Sequence, residues 1–117
     1  MKLLVTGGLG FIGSNFIVKL LEQRDIEITN VDAELYGSDH RNLSQIQTSD
    51  RYNFVKGNIS NKKFMEEQIE KCDCVVNFAA ESHVDRSIND ANPFLVSNIR
   101  GAFTILDIIT KQKKRMI

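Results

Sequence analysis

The run Thr6-Gly7-Gly8-Leu9-Gly10-Phe11-Ile12-Gly13-Ser14-Asn15 has the residue types and spacing to hold a pyrophosphate. Gly7, Gly10 and Gly13, with Gly8 opening an overlapping G-x-G-x-x-G frame, suit a tight turn, close approach of backbone to phosphate, and close packing of a helix on a strand. A helix that starts at such a turn aims its N-terminus at the anion. Asp32 extends the ligand. It lies 19 residues past Gly13, where a dinucleotide-binding fold places a carboxylate against the adenosine ribose hydroxyls. That carboxylate repels a 2′-phosphate, so the two features together point to NAD rather than NADP. A third group of residues follows an apolar run: Ala79 and Ala80 are small enough for backbone to lie against a cofactor, and Glu81, Ser82 and His83 offer polar groups to ribose, nicotinamide or substrate.

Three segments so far apart in sequence meet only if strands bring them to one sheet edge. Lys2-Leu3-Leu4-Val5 reads as a buried strand, and Ile12, Phe16 and Leu20, with Ile17 and Leu21, recur at helical spacing after the glycine turn. Glu27 to Val31 reads as the second strand and ends in Asp32, and Tyr52 to Lys56 reads as the third. Ser60 or Asn61 can cap a helix running to about Lys71, and Cys74 to Phe78 reads as a fourth, fully covered strand. Between strands two and three, residues 33 to 50 are polar and irregular, with a short helix expected around Arg41 to Gln47. Strands alternating with helices predict an α/β doubly wound parallel sheet of Rossmann type. Its ligands sit outside the carboxyl ends of the strands, beside the switch point between strands one and four, where residues 79 to 83 fall.

After Pro93 a long helix is expected, with Leu95, Ile99, Ala102, Leu106 and Ile109 on one stripe and Phe103, Ile105 and Ile108 widening it. That arc is broader than a one-sided surface helix needs. Two readings are open, a second subunit or a larger parent domain covering the excess. Lys111, Lys113, Lys114 and Arg115 are expected to close this helix, as cations complement the negative end of its dipole.

The chain has 117 residues and fifteen charges of each sign, enough for one domain and without the field that recruits nucleic acid or an anionic membrane. No apolar run approaches the roughly 18 residues of a membrane span, and a cytoplasmic protein is expected. Cys72 and Cys74 are the only cysteines. Without a second cluster they make poor metal spacing, and no metal site is expected. His40 is expected to be solvated, and the adjacent charges Asp85 and Arg86 to be structural. Tyr52 and Lys56 match Y-x-x-x-K, a spacing that joins two side chains on a helix. On a strand it separates them by about 13 Å at roughly 3.3 Å per residue, so they are not read as a catalytic dyad.

The glycine run, the Asp32 position and Ala79-Ala80-Glu81-Ser82-His83-Val84-Asp85-Arg86-Ser87 together resemble the dTDP-glucose 4,6-dehydratases, a branch of the extended short-chain dehydrogenase/reductase family. The glycine run is shared across that superfamily, and the second run is much more specific to the nucleotide-sugar 4,6-dehydratases. The resemblance covers the whole chain, which corresponds to about the first third of such an enzyme. It implies NAD contacts at Phe11 and Ile12 below the pyrophosphate, at Asp32, Ala33, Glu34 and Leu35 around the adenosine ribose, at Asn58 and Ile59 near adenine, at Ala79, Ala80, Glu81, Ser82 and His83, and at Ser97. His83 is also implied to meet the sugar nucleotide, and the complete enzyme is implied to be a homodimer acting on dTDP-glucose. Asp is usual in the family where Asn58 stands; Asn keeps an acceptor and adds a donor.

The chemistry implied is an internal redox that makes a 4-keto-6-deoxy sugar nucleotide. It uses a Tyr and Lys four residues apart and a Thr-Asp-Glu run after the fifth strand, all expected beyond Ile117. Residues 1–117 are therefore expected to be a NAD-binding Rossmann domain of about four strands, with an open edge on the fourth. The substrate domain is expected to be absent from these residues, and no residue is assigned a catalytic role. The alternatives are a related nucleotide-sugar epimerase or decarboxylase, and a non-catalytic NAD-binding module.

Overall fold

The structure, a computed structural model, describes residues 1–117, the side chain of Val84 excepted. Five strands, β1 (Lys2–Thr6), β2 (Glu27–Asp32), β3 (Tyr52–Lys56), β4 (Cys74–Asn77) and β5 (Arg115–Met116), form one parallel sheet in the order β3-β2-β1-β4-β5. Helix α1 (Phe11–Gln23) links β1 to β2, and α2 (Lys62–Glu70) links β3 to β4. A short α3 (Val84–Asn89) precedes the last helical run, which passes from α4 (Asn92–Phe94) through a π-helical stretch (Leu95–Gly101) into α5 (Ala102–Gln112).

Alternation along the strands divides the core into two layers. Leu3 and Val5 of β1, Ile28 of β2, and Cys74 and Val76 of β4 face Ile17 and Leu21 of α1 together with Leu43 and Ile46. Leu4, Val31 and Val75 face the other way, onto Met65 and Ile69 of α2 and Ile105 and Ile108 of α5. Strands buried on both faces are what a doubly wound sheet requires. Asn61 caps α2 by accepting from the Phe64 N–H at 3.2 Å. The expected helix after residue 40 is a single 3-10 turn, His40–Leu43, capped by Asp39.

Two expectations are corrected. The sheet does not stop at four strands with β4 open. Lys113 takes a left-handed conformation (φ 54°) that turns the chain at the end of α5, and β5 then pairs Arg115 with Cys74 and Met116 with Val75. The Ile117 N–H donates to the Val75 carbonyl at 2.9 Å. Nor do all four basic residues close the last helix. Lys111 pairs with Asp107 at 2.7 Å, while the Lys114 ammonium donates to the carbonyls of Cys72 (2.7 Å) and Glu70 (3.2 Å) at the end of α2.

The last helix also turns a different face to the core. Ser97, Gly101, Thr104, Ile105, Ile108 and Ile109 are buried, whereas Leu95, Ile99, Phe103 and Leu106 lie exposed. A π-helical turn holds more residues than an α turn, so the apolar stripe drawn at 3.6-residue spacing slips in phase across Leu95–Gly101. Gly101 seats this segment, since a Cβ there would lie 2.4 Å from the Ile59 side chain. Among the described residues no helix is long and apolar enough to cross a membrane.

Candidate functional site

A cavity of about 510 Å³ opens at the carboxyl ends of β1, β2, β3 and β4. Its floor is the turn from β1 into α1. Gly7 has φ 70°, and a Cβ on it would fall 2.5 Å from the Ala79 nitrogen, so this turn lies backbone against backbone on the segment after β4. The early N–H groups of the turn are already used. Gly7 donates to the Val31 carbonyl (2.9 Å), Gly8 to Asn30 Oδ1 (3.0 Å), Leu9 to Asp32 Oδ2 (3.0 Å) and Gly10 to the Gly7 carbonyl (3.2 Å). The first-turn N–H groups of α1, on Phe11, Ile12 and Gly13, have no carbonyl one turn back within the helix. They line one end of the cavity, where the start of a helix favours negative charge.

Asp32, at the end of β2, is only 6% exposed. Besides Leu9 it accepts from the Glu34 N–H and the Ser38 hydroxyl, both at 2.8 Å on Oδ1. Three donors on two carboxylate oxygens leave one lone pair, on Oδ2, for a ligand hydroxyl. The loop beyond is anchored twice to Leu9, whose carbonyl accepts from the Asp39 N–H (3.1 Å) and Asn42 Nδ2 (3.0 Å).

At the end of β3, Gly57, Asn58 and Ile59 form another part of the wall. On the opposite side Ala79 to His83 run past the turn, and the backbone of Glu81 is held like a strand partner by one side chain. Its N–H donates to Asn98 Oδ1 (2.8 Å) and its carbonyl accepts from Asn98 Nδ2 (2.9 Å). Across the mouth, the His83 ring meets the Tyr36 ring edge-on at 4.6 Å, and the Arg86 guanidinium stacks 4.2 Å from the Tyr36 centroid.

Every site residue expected from the sequence lines this one cavity except Glu34. Gly7, Gly10, Phe11, Ile12 and Gly13 come from the turn and α1, Asp32, Ala33 and Leu35 from the β2 end, Asn58 and Ile59 from the β3 end, Ala79 to His83 from the β4 end, and Ser97 from the π-helical stretch. Glu34, at φ 56°, sends its carboxylate away to Lys56 (2.5 Å) and His40. Hydrogen bonds from His40 and then Lys56 hold that carboxyl below its usual range. His40 is thus paired as well as half exposed, and it also meets Phe54 edge-on at 4.9 Å.

Tyr36, Gly37, Ser38 and Phe78 line the cavity too, and Asn98 braces it. Gly37 and Ser38 belong to the stretch of residues 33 to 50 that the sequence marks only as polar and irregular. Tyr52 and Lys56 do not line it. Both lie on β3, where Tyr52 pairs its hydroxyl with Asn30 Nδ2 at 3.0 Å and burial raises its ionisation above the ordinary value. The two cysteines are free and buried, and burial pushes the Cys72 thiol up. Among the described residues no cluster of three or more His, Cys, Asp or Glu could hold a metal.

The family model for GDP-mannose 4,6 dehydratase matches residues 4–117. The chain belongs to that family. It is 44% identical over 107 residues to the low-salt glycan biosynthesis protein Agl12 of Haloferax volcanii, covering 92% of this chain and 34% of that protein. It is 41% identical over 117 residues to the dTDP-glucose 4,6-dehydratase of Mycolicibacterium smegmatis, covering 99% of this chain and 35% of the relative. In structure it is similar to the dTDP-glucose 4,6-dehydratase DesIV of Streptomyces venezuelae, solved with NAD bound, with a TM-score of 0.93 at 37% identity over 99% of this chain and 38% of that one. The chain spans about a third of the length of the curated relatives it matches.

Proposed function

We propose that this chain binds NAD as the cofactor-holding part of a dTDP-glucose 4,6-dehydratase, a hydro-lyase of deoxysugar biosynthesis. One observation carries the reading: the first turn of α1 and the buried Asp32 carboxylate line a single cavity, an anion site and a ribose-hydroxyl site. The donor sets fit the cofactor. Phe11, Ile12 and Gly13 N–H groups take the pyrophosphate, Asp32 Oδ2 accepts from a ribose hydroxyl, Asn58 and Ile59 flank the adenine, and Leu35 shields the ribose. The second run fits the other half, with Ala79 and Ala80 against the cofactor and Glu81, Ser82, His83 and Ser97 toward its nicotinamide ribose.

Bound NAD supplies a reversible hydride acceptor for the internal redox of such a reaction. This chain's part is to orient and exclude water. Asn98 fixes the Glu81 backbone, and Tyr36 with Arg86 fixes the side of the mouth where His83 faces a sugar nucleotide. The groups that move protons in the dehydration belong to the rest of the enzyme. A cytoplasmic location accords with the two free, buried cysteines. The exposed face of Leu95, Ile99, Phe103 and Leu106 fits a homodimer contact in the complete enzyme.

The test is to express the whole reading frame that contains this chain, supply dTDP-glucose, and assay a 4-keto-6-deoxy product with and without added NAD. Product formation by the whole polypeptide and none by residues 1–117 is expected. Turnover by residues 1–117 alone, or a whole enzyme inert toward dTDP-glucose, would overturn the proposal.

A further inference from the structure

Tyr36 stands in a turn that is fixed at both ends. The Ser38 N–H donates to the Leu35 carbonyl at 3.1 Å, closing a four-residue turn, and Gly37 supplies a φ of 88° at its third position. Asp32 Oδ1 holds the residues on either side, accepting from the Glu34 N–H and the Ser38 hydroxyl. Across the cavity mouth, α3 starts from His83, whose carbonyl accepts from the Arg86 N–H at 3.1 Å. Residues three apart on a helical turn are neighbours, so the His83 and Arg86 side chains reach out together. The Tyr36 ring meets both, edge-on to the His83 ring at 85° and under the Arg86 guanidinium. The backbone comes close as well, since a Cβ on Gly37 would lie 3.7 Å from His83 Nε2.

These contacts join the loop after β2 to the segment after β4, and Tyr36, Gly37 and His83 line the cavity together with the glycine turn that floors it. We infer that Tyr36, His83 and Arg86 form a strap over the middle of the bound dinucleotide, and that the strap has to part for the cofactor to enter or leave. The inference rests on the NAD reading above and adds how the cofactor is kept. With one ribose at Asp32 and the other half along Ala79 to His83, the dinucleotide crosses between the glycine turn and the Tyr36 turn. The strap is held by contacts between protein groups alone, so parting it costs the same with the site filled or empty. Loosening it therefore speeds entry and exit alike and leaves the equilibrium affinity where it was. An internal redox depends on such retention, because a reduced cofactor lost before it returns its hydride leaves the sugar oxidised.

The experiment follows NADH fluorescence with the 117-residue chain in stopped flow, entry on mixing and release on chasing with excess NAD, while circular dichroism records that each variant is folded. Tyr36→Leu is expected to speed entry and release each about five- to tenfold, the scale of one ring contact and one cation–π contact, and to leave the dissociation constant within about twofold. Tyr36→Phe keeps the ring and should keep both rates. Arg86→Gln should speed both about threefold, and should add nothing in the Tyr36→Leu background, because Arg86 acts through that ring. Release from Tyr36→Leu at the rate of the unsubstituted chain overturns the inference. So does faster release without faster entry, which marks a direct contact of Tyr36 with the dinucleotide in place of a strap. So does an Arg86→Gln effect that persists in full without the Tyr36 ring. A folded chain that binds no NADH overturns the NAD reading and the inference together.

Discussion

In the proposed NAD site Asp32 serves the protein and the ligand at once. Its carboxylate ties Leu9 of the glycine turn to Glu34 and Ser38 of the next loop, which keeps two walls of the cavity in register. On the proposed reading its remaining lone pair serves a ribose hydroxyl, and its carboxylate opposes a 2′-phosphate. Asp32→Asn removes the charge and replaces one acceptor oxygen by a donor. NAD affinity is expected to fall at least about tenfold, and the NAD-to-NADP ratio to shrink, as measured by calorimetry on folded protein. Glu34 acts on the protein alone. Its depressed ionisation means that the ion pairs with His40 and Lys56 add stability above the ordinary carboxylate value of 4.5 and lose it as pH falls through the lower folded value. Melting temperature followed downward from pH 4.5 should therefore fall more steeply in the unsubstituted chain than in Glu34→Gln. The difference should fade in high salt, since these groups are solvent-exposed. The separation of Asp32 from Glu34 was not legible in the sequence, where the resemblance placed both around the ribose. It depends on the left-handed turn at Glu34, which sends the side chain toward β3.

At the scale of elements, β1 to β4 and the first two helices stood out because each repeats a single period between clear turn residues. The last helix did not, because its period changes within it. Two facts locate the reason: the π-helical geometry of Leu95–Gly101, and Gly101 set against Ile59. The phase slip brings Ser97 to the cavity and puts Asn98 on the Glu81 backbone, a bracing role that composition gives no hint of. Gly101→Val pushes two methyl groups into the Ile59 contact and should cost about 1–3 kcal/mol of stability in denaturant unfolding. It should also weaken NAD binding, because Ile59 lines the cavity. The short β5 has no periodic pattern of its own. Two residues are too few for any alternation, and what makes them a strand is the open edge of β4 beside them.

For the whole molecule, the sheet separates two jobs. The carboxyl ends of four strands hold the cavity, and the outer side of the last helix carries the exposed apolar face of Leu95, Ile99, Phe103 and Leu106. The inner side of that helix belongs to the core, so the two sides should respond differently to substitution. Ile105→Ala is expected to cost about 2–4 kcal/mol, because Ile105 is fully buried between the sheet and α2. Phe103→Ser, at a position 69% exposed, should change the stability of one chain by under about 0.5 kcal/mol. The same change should shift the proposed homodimer of the complete enzyme toward monomer in analytical ultracentrifugation. The most direct test of NAD binding is an amide chemical-shift titration of the isotope-labelled chain. Saturable shifts with NAD should concentrate at Phe11, Ile12 and Gly13 and at the Asp32 loop, with weaker binding of NADP. A well-dispersed spectrum that stays unmoved at those amides under saturating NAD would contradict the assignment.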